Sequence, residues 1–197
     1  FIHVSCLGSR EESDSVYLSS KAEGESLLRE SDLYWTVFRP SYMFGDRFPF
    51  IEMLKPIITF KPFLGVVGSG LNRIQPILVD DVAQAVVNCI YDKETAGRSF
   101  DLGGPNDYAF VDLLQMVRDE FGIGGSVVTL PSQLSGNLFE MIKRVMPKNT
   151  FNLELAQLLI ADSFAEGDNS AGYFELSNEP LEHRLPDIVD ALMKEKK

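Results

Sequence analysis

The sequence predicts an α/β fold in which helices connect parallel strands. Residues 1–5 and 34–38 are β-branched and aromatic runs of strand length, and Pro40 stops the second one. Residues 16–30, between them, have apolar positions at helical spacing among charged ones. Because parallel strands need a long crossover connection, usually a helix, this alternation predicts a parallel sheet.

The next segments predict a lobe that leaves the sheet and returns to it. Residues 48–59 are typical of a short helix, residues 65–70 of a glycine-rich connecting turn, and residues 77–79 of a strand. Asp80 or Asp81 is then expected to cap a helix with one broad apolar face. The sheet pattern therefore resumes after the lobe.

The remaining segments are of the same two kinds. Strands are predicted at residues 99–102 and 127–130, and helices at residues 111–121, 134–145 and 185–193. Residues 165–178 are rich in glycine, asparagine and serine, so we expect them to be irregular.

Composition and charge argue against two classes of partner. The chain has 197 residues, a net charge of −11 and a pI near 4.6. Binding to nucleic acid or to an anionic membrane depends on clustered Lys and Arg, so neither is predicted. No apolar run is long enough to span a membrane directly. Cys6 and Cys89 are expected to be buried, reduced thiols, since a chain of this size needs no disulfide framework.

Tyr17 and Lys21 are the strongest candidates for a functional site. They are four residues apart on the predicted helix, so their side chains share a face. A nearby ammonium favours the ionised phenol, which suits Tyr17 to proton transfer at a carbonyl or alcohol. Lys21 could also hold ribose hydroxyls, and Ser5, at the end of the neighbouring strand, could bind the same substrate oxygen. The alternative interpretation is a surface tyrosine beside a solvated lysine.

No other motif indicates a phosphate or metal site. The glycines of residues 65–70 are not followed by the helix that a dinucleotide-binding turn requires, so the pyrophosphate site is not expected in this chain. Asp80-Asp81 fits a helix cap better than a metal pair. His3 and His183 have no partner ligand at suitable spacing. The sequence therefore predicts no metal centre.

A strand ending in Ser5, followed by Tyr17 and Lys21 on a helix, resembles the catalytic half of the short-chain dehydrogenase/reductase family. Further stretches narrow the resemblance to the atypical group of NADPH-binding accessory subunits of mitochondrial respiratory complex I. These stretches are Phe1-Ile2-His3-Val4-Ser5, Lys21-Ala22-Glu23-Gly24-Glu25, Arg39-Pro40-Ser41-Tyr42-Met43-Phe44-Gly45, Gln75-Pro76-Ile77-Leu78-Val79-Asp80-Asp81-Val82 and Phe100-Asp101-Leu102-Gly103-Gly104-Pro105. The similarity runs in order from residue 1 to about residue 130.

The resemblance implies a fold with two parts. It is the C-terminal part of a Rossmann-type doubly wound parallel sheet, together with a small, mostly helical substrate-type lobe. Residues 1–47 and 76–96 would belong to the sheet part, and residues 48–75 and 97–197 to the lobe.

The resemblance also implies a cofactor, its site and its partners. NADPH would bind with a structural role, and no metal would be present. The implied catalytic or vestigial residues are Ser5, Tyr17 and Lys21, which would lie at the nicotinamide ribose, with Pro40, Ser41 and Tyr42 beside the nicotinamide. The partners would be the other complex I subunits, on the matrix side of the mitochondrial inner membrane.

Three functions follow from these predictions. The favoured hypothesis is a non-catalytic, NADPH-holding subunit that braces a large assembly. The alternative is a free NADP-dependent reductase or epimerase that uses Tyr17 as its acid–base, and the third is an interaction module. An enzyme would have an open pocket over Tyr17, beneath a lobe built from residues 48–64 and 132–147. The sequence leaves open whether the nucleotide is NADP or NAD.

The family's N-terminal strands and glycine loop are expected outside this sequence, in the same polypeptide or in a separate one. A sheet that starts at Phe1 would have an unpaired edge with uncovered apolar faces. We therefore expect that the chain does not fold stably alone.

Overall fold

The computed structural model describes residues 1–59, 64–130, 162–165 and 170–194. In chain order the strands are β1 (Ile2–Val4), β2 (Thr36–Pro40), β3 (Met43–Phe44), β4 (Leu64–Val67), β5 (Arg73–Ile74), β6 (Ile77–Leu78), β7 (Arg98–Leu102), β8 (Tyr108–Ala109) and β9 (Val127–Leu130). The α-helices are α1 (Val16–Arg29), α2 (Pro49–Ile58), α3 (Val79–Tyr91), α4 (Phe110–Glu120) and α5 (Leu185–Lys194). Short 3-10 helices cover Lys93–Thr95 and Leu181–His183.

A three-stranded parallel sheet in the order β1-β2-β7 supports the functional end of the chain. Val4 pairs with Phe38, and Phe38 in turn pairs with Phe100. The ladder continues past β1, since the backbone N–H of Ser5 donates to Phe38 O at 2.7 Å. Parallel strands joined by helices confirm the predicted α/β class, and they bring the carboxyl ends of β1 and β2 together.

Helix α1 packs on this sheet as its sequence pattern predicts. Ser15 is the N-cap, and its hydroxyl accepts from the backbone N–H of Leu18 at 3.4 Å. The buried face consists of Leu18, Ala22, Glu25 and Leu28, at the three- and four-residue spacing of a helix. A carboxylate in this otherwise apolar stripe needs partners, which come from β2 and from the next turn of α1.

The buried apolar residues form two clusters on different elements. One cluster is built largely from α2, α4 and α5 and includes Ile51, Leu113 and Ile188. The other packs α3 and the turn at 170–176 against the sheet, with Phe38 and Phe100 at its centre. The two phenylalanine rings stack with centroids 5.7 Å apart.

Three local predictions are wrong, each for a tertiary reason. Strand β4 occupies part of the predicted turn at 65–70, because it pairs in parallel with β9. Helix α3 begins at Val79, and Leu78, at its N-cap position, makes no side-chain hydrogen bond to the first turn. The Asp81 carboxylate instead accepts from the backbone N–H groups of Ser177 at 2.8 Å and Asn178 at 3.2 Å. Strand β2 lies two residues later than predicted, which leaves the Tyr34 side chain 88% exposed.

Two further observations concern only the parts of the chain given above. None of the helices there has the length and apolar character to cross a membrane. In the same residues, no group of three or more His, Cys, Asp or Glu could hold a metal ion. The predicted helix at 134–145 lies outside the described residues.

Candidate functional site

A cavity of about 350 Å³ lies where β1 and β2 end. Its walls come from the ends of these strands, from α1, from α2 and from the short segment at 162–163. The lining residues are Ser5, Cys6, Leu7, Tyr17, Leu18, Pro40, Ser41, Tyr42, Met43, Pro49, Phe50, Met53, Asp162 and Ser163. In open α/β sheets, ligands bind at the carboxyl ends of the strands, so this position suits a binding site.

The structure brings most of the predicted site residues to this cavity. Five of them line it, namely Ser5, Tyr17, Pro40, Ser41 and Tyr42. Lys21 lies beside it: its Nζ donates to Val4 O at 3.2 Å and is 5.8 Å from the centroid of the Tyr17 ring. The part of the predicted cleft that falls at 132–147 lies outside the described residues.

Tyr17 lies beside the thiol of Cys6, which is only partly buried, unlike the buried Cys89, although both were predicted to be buried. Burial raises the pKa of Tyr17, and the charge of Cys6 and its hydrogen bond with the phenol raise it further. Burial likewise raises the pKa of Cys6 to about 11, although the nearby Lys21 charge opposes the shift. The phenol is therefore held in its neutral form, opposite to the direction expected from Lys21 alone. No local signal in the sequence brings the two side chains together, because Cys6 follows a strand and Tyr17 lies at the start of a helix.

We expect the Tyr17 phenol to remain largely protonated at pH about 10, where half of a free phenol is ionised. The measurement is an ultraviolet titration of the intact protein, with the Tyr17→Phe titration subtracted. Replacing Cys6 with alanine should move the Tyr17 midpoint back toward its ordinary value, because the thiol's contributions disappear. A Tyr17 midpoint below 10 in the unmodified protein would contradict this prediction.

Residues 40–42 are held in place by contacts to two other segments. The Ser41 hydroxyl donates to Ser163 O at 2.7 Å and lies 3.0 Å from Ser163 Oγ. The Tyr42 ring packs on Phe50 with centroids 4.1 Å apart, and burial strongly raises the pKa of its phenol. Ser41 therefore positions the segment at 163 over the cavity, while Tyr42 joins the sheet end to α2.

A partly buried ion cluster links α1 to β2, two of the elements that line the cavity. Glu25 is 1% exposed and accepts from Arg39 Nε at 2.9 Å and from Arg39 Nη2 at 2.5 Å. Arg29 Nη2 donates to the same carboxylate at 2.6 Å, and the Ser9 hydroxyl donates at 3.0 Å. Burial raises the pKa of Glu25, but the Arg39 hydrogen bonds and charge outweigh it and lower the pKa to about 2. Glu25 was not predicted to belong to the site, because its hydrogen-bond partners come together only in the folded chain.

Comparison with known sequences finds relatives among the subunits of mitochondrial NADH dehydrogenase. The chain is 28% identical over 194 residues to "NADH dehydrogenase [ubiquinone] 1 alpha subcomplex subunit 9, mitochondrial" of Arabidopsis thaliana, which covers 94% of this chain and 48% of that protein. The mouse protein of the same name is 36% identical over 122 residues, covering 59% of this chain and 31% of that protein. The NADH-ubiquinone oxidoreductase 40 kDa subunit of Neurospora crassa is 31% identical over 137 residues, covering 68% of this chain and 35% of that subunit. The chain thus spans about half the length of the Arabidopsis relative and about a third of the length of the other two. No family model matches it.

Solved structures share the fold at low sequence identity. The Bacillus cereus UDP-glucuronic acid 4-epimerase, in complex with NAD, superposes with a TM-score of 0.65 at 17% identity, over 98% of this chain and 60% of that one. The Thermotoga maritima UDP-glucose 4-epimerase also gives 0.65, at 15% identity, over 100% of this chain and 64% of that one. At these identities the likeness concerns the fold alone.

The sequence relatives and the parallel-sheet fold agree with the resemblance carried by the Ser5, Tyr17 and Lys21 pattern. Sequence similarity therefore relates this chain to subunits of mitochondrial NADH dehydrogenase, and its fold is one that solved nucleotide-sugar epimerases share.

Proposed function

We propose that this chain is the nicotinamide-side part of a non-catalytic, NADPH-binding accessory subunit of respiratory complex I, on the matrix side of the mitochondrial inner membrane. The observation that carries the proposal is the similarity to a mitochondrial complex I subunit along 94% of the chain. Its partners are then the other subunits of that complex. The described residues that line the cavity include no glycine turn. Other residues would therefore bind the pyrophosphate end of the nucleotide.

The donors around the cavity fit the nicotinamide ribose. Ser5 is 4% exposed, and its Oγ has no partner in hydrogen-bond geometry among the described residues, although it is close enough to Glu25 to help lower the pKa of that carboxyl. This hydroxyl can therefore serve a ligand. Lys21 adds a cation at the same edge, and the Tyr17 hydroxyl adds a donor. Ribose hydroxyls and a carboxamide need this kind of donor set.

The state of Tyr17 favours holding a nucleotide over turnover. NADPH, when bound, can supply a hydride to a carbonyl carbon. The chain's own contribution to such a reaction would be a proton from Tyr17, and a phenol whose pKa is raised by burial and by Cys6 is a poor donor near neutral pH. Lys21 shares its ammonium with the Val4 carbonyl, which further limits its effect on the phenol.

Native mass spectrometry of the particle that contains this protein tests the proposal. We expect it to co-purify with many respiratory-chain subunits and to release tightly held NADPH when denatured. A small homo-oligomer that exchanges its nucleotide freely would overturn the proposal.

Replacing Lys21 with methionine should weaken NADPH retention by about 10- to 100-fold, the usual cost of losing a hydrogen bond from a charged donor. The measurement is nucleotide loss from the intact protein during dialysis. Lys93→Met is the matched control, because Lys93 is an exposed lysine on a 3-10 helix and does not line the cavity. Equal retention in both variants would remove Lys21 from the proposed site.

The second candidate function is a free NADP-dependent reductase or epimerase. The open cavity beside Tyr17 is the observation that favours it. In that case the purified protein should consume NADPH with carbonyl substrates, and Tyr17→Phe should abolish the consumption while nucleotide remains bound.

We also propose the two-part division at residues 1–47 with 76–96 and at residues 48–75 with 97–197. The apolar cluster on α2, α4 and α5 supports it, whereas Ala171, Phe174 and Leu176 pack in the sheet cluster although the division assigns them to the lobe. Strand β7 pairs with β2, so residues 98–102 pack with the sheet part although the division assigns them to the lobe.

A further inference from the structure

We infer that the lobe side of the cavity takes an uncharged, largely apolar ligand next to the nicotinamide position. The inference rests on the proposed function only for the place of the nicotinamide. It names the class of molecule that fills the remaining space.

Several of the residues that line the cavity are buried apolar side chains. Leu7 and Leu18 are 6% and 5% exposed and close the side toward α1. Phe50 is 4% exposed and continues the apolar surface from the Tyr42 ring onto α2. A ligand in this space therefore gains free energy of binding by removing apolar surface from water.

Two methionines form an adaptable rim. Met43 lies on β3 and Met53 on α2, and they are 38% and 37% exposed. Unbranched thioether side chains repack around ligands of different shapes, and they are common at surfaces that bind apolar molecules. Because both methionines line the cavity from different elements, an apolar ligand can be covered on two sides.

The charge around the cavity disfavours anions. Among the described lining residues there is no Lys, Arg or His, and the charged side chain is Asp162. Its Oδ1 accepts from the backbone N–H of Arg73 at 2.7 Å, which fixes the carboxylate near the cavity. The ammonium of Lys21 lies outside the lining set and donates to Val4 O. A phosphate or carboxylate on the lobe side would meet a like charge, and none of the described lining residues supplies a compensating cation.

This arrangement differs in ligand class from what structural neighbours carry. The Bacillus cereus epimerase has been solved with UDP-glucuronic acid, an anionic nucleotide sugar, and the Thermotoga maritima epimerase with UDP-glucose. Diphosphates of that kind need cationic or amide donors. The lining of the present cavity offers aliphatic, aromatic and thioether groups instead.

The test compares 1-naphthol with 1-naphthyl phosphate, which share an aromatic body and differ in charge. Binding to the intact protein is measured by ligand-observed NMR and by calorimetry, with NADPH retention recorded on the same sample. We expect 1-naphthol to bind at least about tenfold more tightly than the phosphate, because the described lining residues include no cation that could pair with the anion. Met53→Glu and the milder Met53→Gln should weaken 1-naphthol binding, whereas Met193→Gln, a 45% exposed helical methionine on α5, should not.

The outcomes separate the inference from the proposed function. Retained NADPH with no 1-naphthol binding, or with equal binding of the phosphate, overturns the inference and leaves the proposed function standing. Binding of 1-naphthol that Met53→Gln weakens, in a protein that retains no NADPH, supports the inference and overturns the proposed function. Equal loss in Met53→Gln and Met193→Gln overturns the inference, since the ligand would then bind elsewhere.

Discussion

Replacing Glu25 with glutamine is expected to lower the free energy of unfolding by about 3 kcal/mol, the low end of the usual cost of breaking a buried ion pair. The Glu25 side chain is 2% exposed and the Arg39 side chain 27%, so water screens this pair poorly. Glutamine keeps the shape of the side chain but removes the charge that three donors surround. Arg39 would retain Asp101 as its anionic partner, whose Oδ1 lies 3.4 Å from Nη1.

The same pair makes stability depend on pH in a defined window. Glu25 has a folded-state pKa of about 2, below the ordinary value of 4.5, so the unfolded chain binds its proton first as pH falls. The contribution of the carboxylate is therefore complete above pH about 5 and is lost progressively between pH about 4.5 and 2, and it amounts to roughly 3 kcal/mol. The difference in stability between the unmodified protein and Glu25→Gln should shrink across that window.

Glu52→Gln is the matched control for this experiment. Glu52 also accepts two hydrogen bonds from one arginine, at 2.8 Å from Arg47 Nε and 2.7 Å from Arg47 Nη2. The Arg47 side chain is 63% exposed, so this pair should contribute less than about 1 kcal/mol. Denaturant unfolding of the intact protein measures both variants. Similar losses in the two would mean that burial does not set the strength of the Glu25 cluster.

The five helices and strands β1, β2, β6, β7 and β9 were predictable, because helical apolar spacing and β-branched or aromatic runs mark these segments locally. The spacing of Ala22, Leu27 and Leu28 predicted α1 to within one residue of its observed end, although Leu27 is exposed. Strand β4 was missed because Gly65 and Gly68 suggested a turn, and its strand conformation depends on pairing with β9, more than 60 residues away. Long-range pairing of this kind leaves no local signal.

Parts of the candidate site could likewise be predicted from local sequence patterns, and other parts could not. Tyr17 and Lys21 could be placed together from helical spacing, and Ser5 from its position at a strand end. The effect of Cys6 on Tyr17 could not be predicted, because the distance between a strand end and a helix face depends on how the two elements pack. The partners of Asp81 come from residues 177 and 178, nearly a hundred positions away, so a local cap was the natural but wrong interpretation.

Replacing Gly104 with alanine is expected to destabilise the protein by about 3 kcal/mol, at the upper end of ordinary overpacking. A methyl group there would overlap the backbone oxygen of Pro76 and lie 3.0 Å from its carbonyl carbon. Backbone atoms cannot rotate away as a side chain can, so the segment at 75–77 has to move. That segment is tied to Gly104 by the hydrogen bond from Gln75 Nε2 to Gly104 O at 2.7 Å.

The displacement should reach the cavity, which makes this variant a test of how the fold positions the site. The backbone N–H of Ile77 donates to Tyr42 O at 3.0 Å, so movement of Pro76 shifts a residue that lines the cavity. We therefore expect Gly104→Ala to lose nucleotide retention as well as stability. Gly124→Ala is the control, since a methyl group at Gly124 meets nothing within 4 Å and its stability should change by less than about 1 kcal/mol. Thermal unfolding and nucleotide retention are measured on both variants. If Gly104→Ala matches Gly124→Ala in both measurements, the contact between Gly104 and Pro76 does not constrain the site.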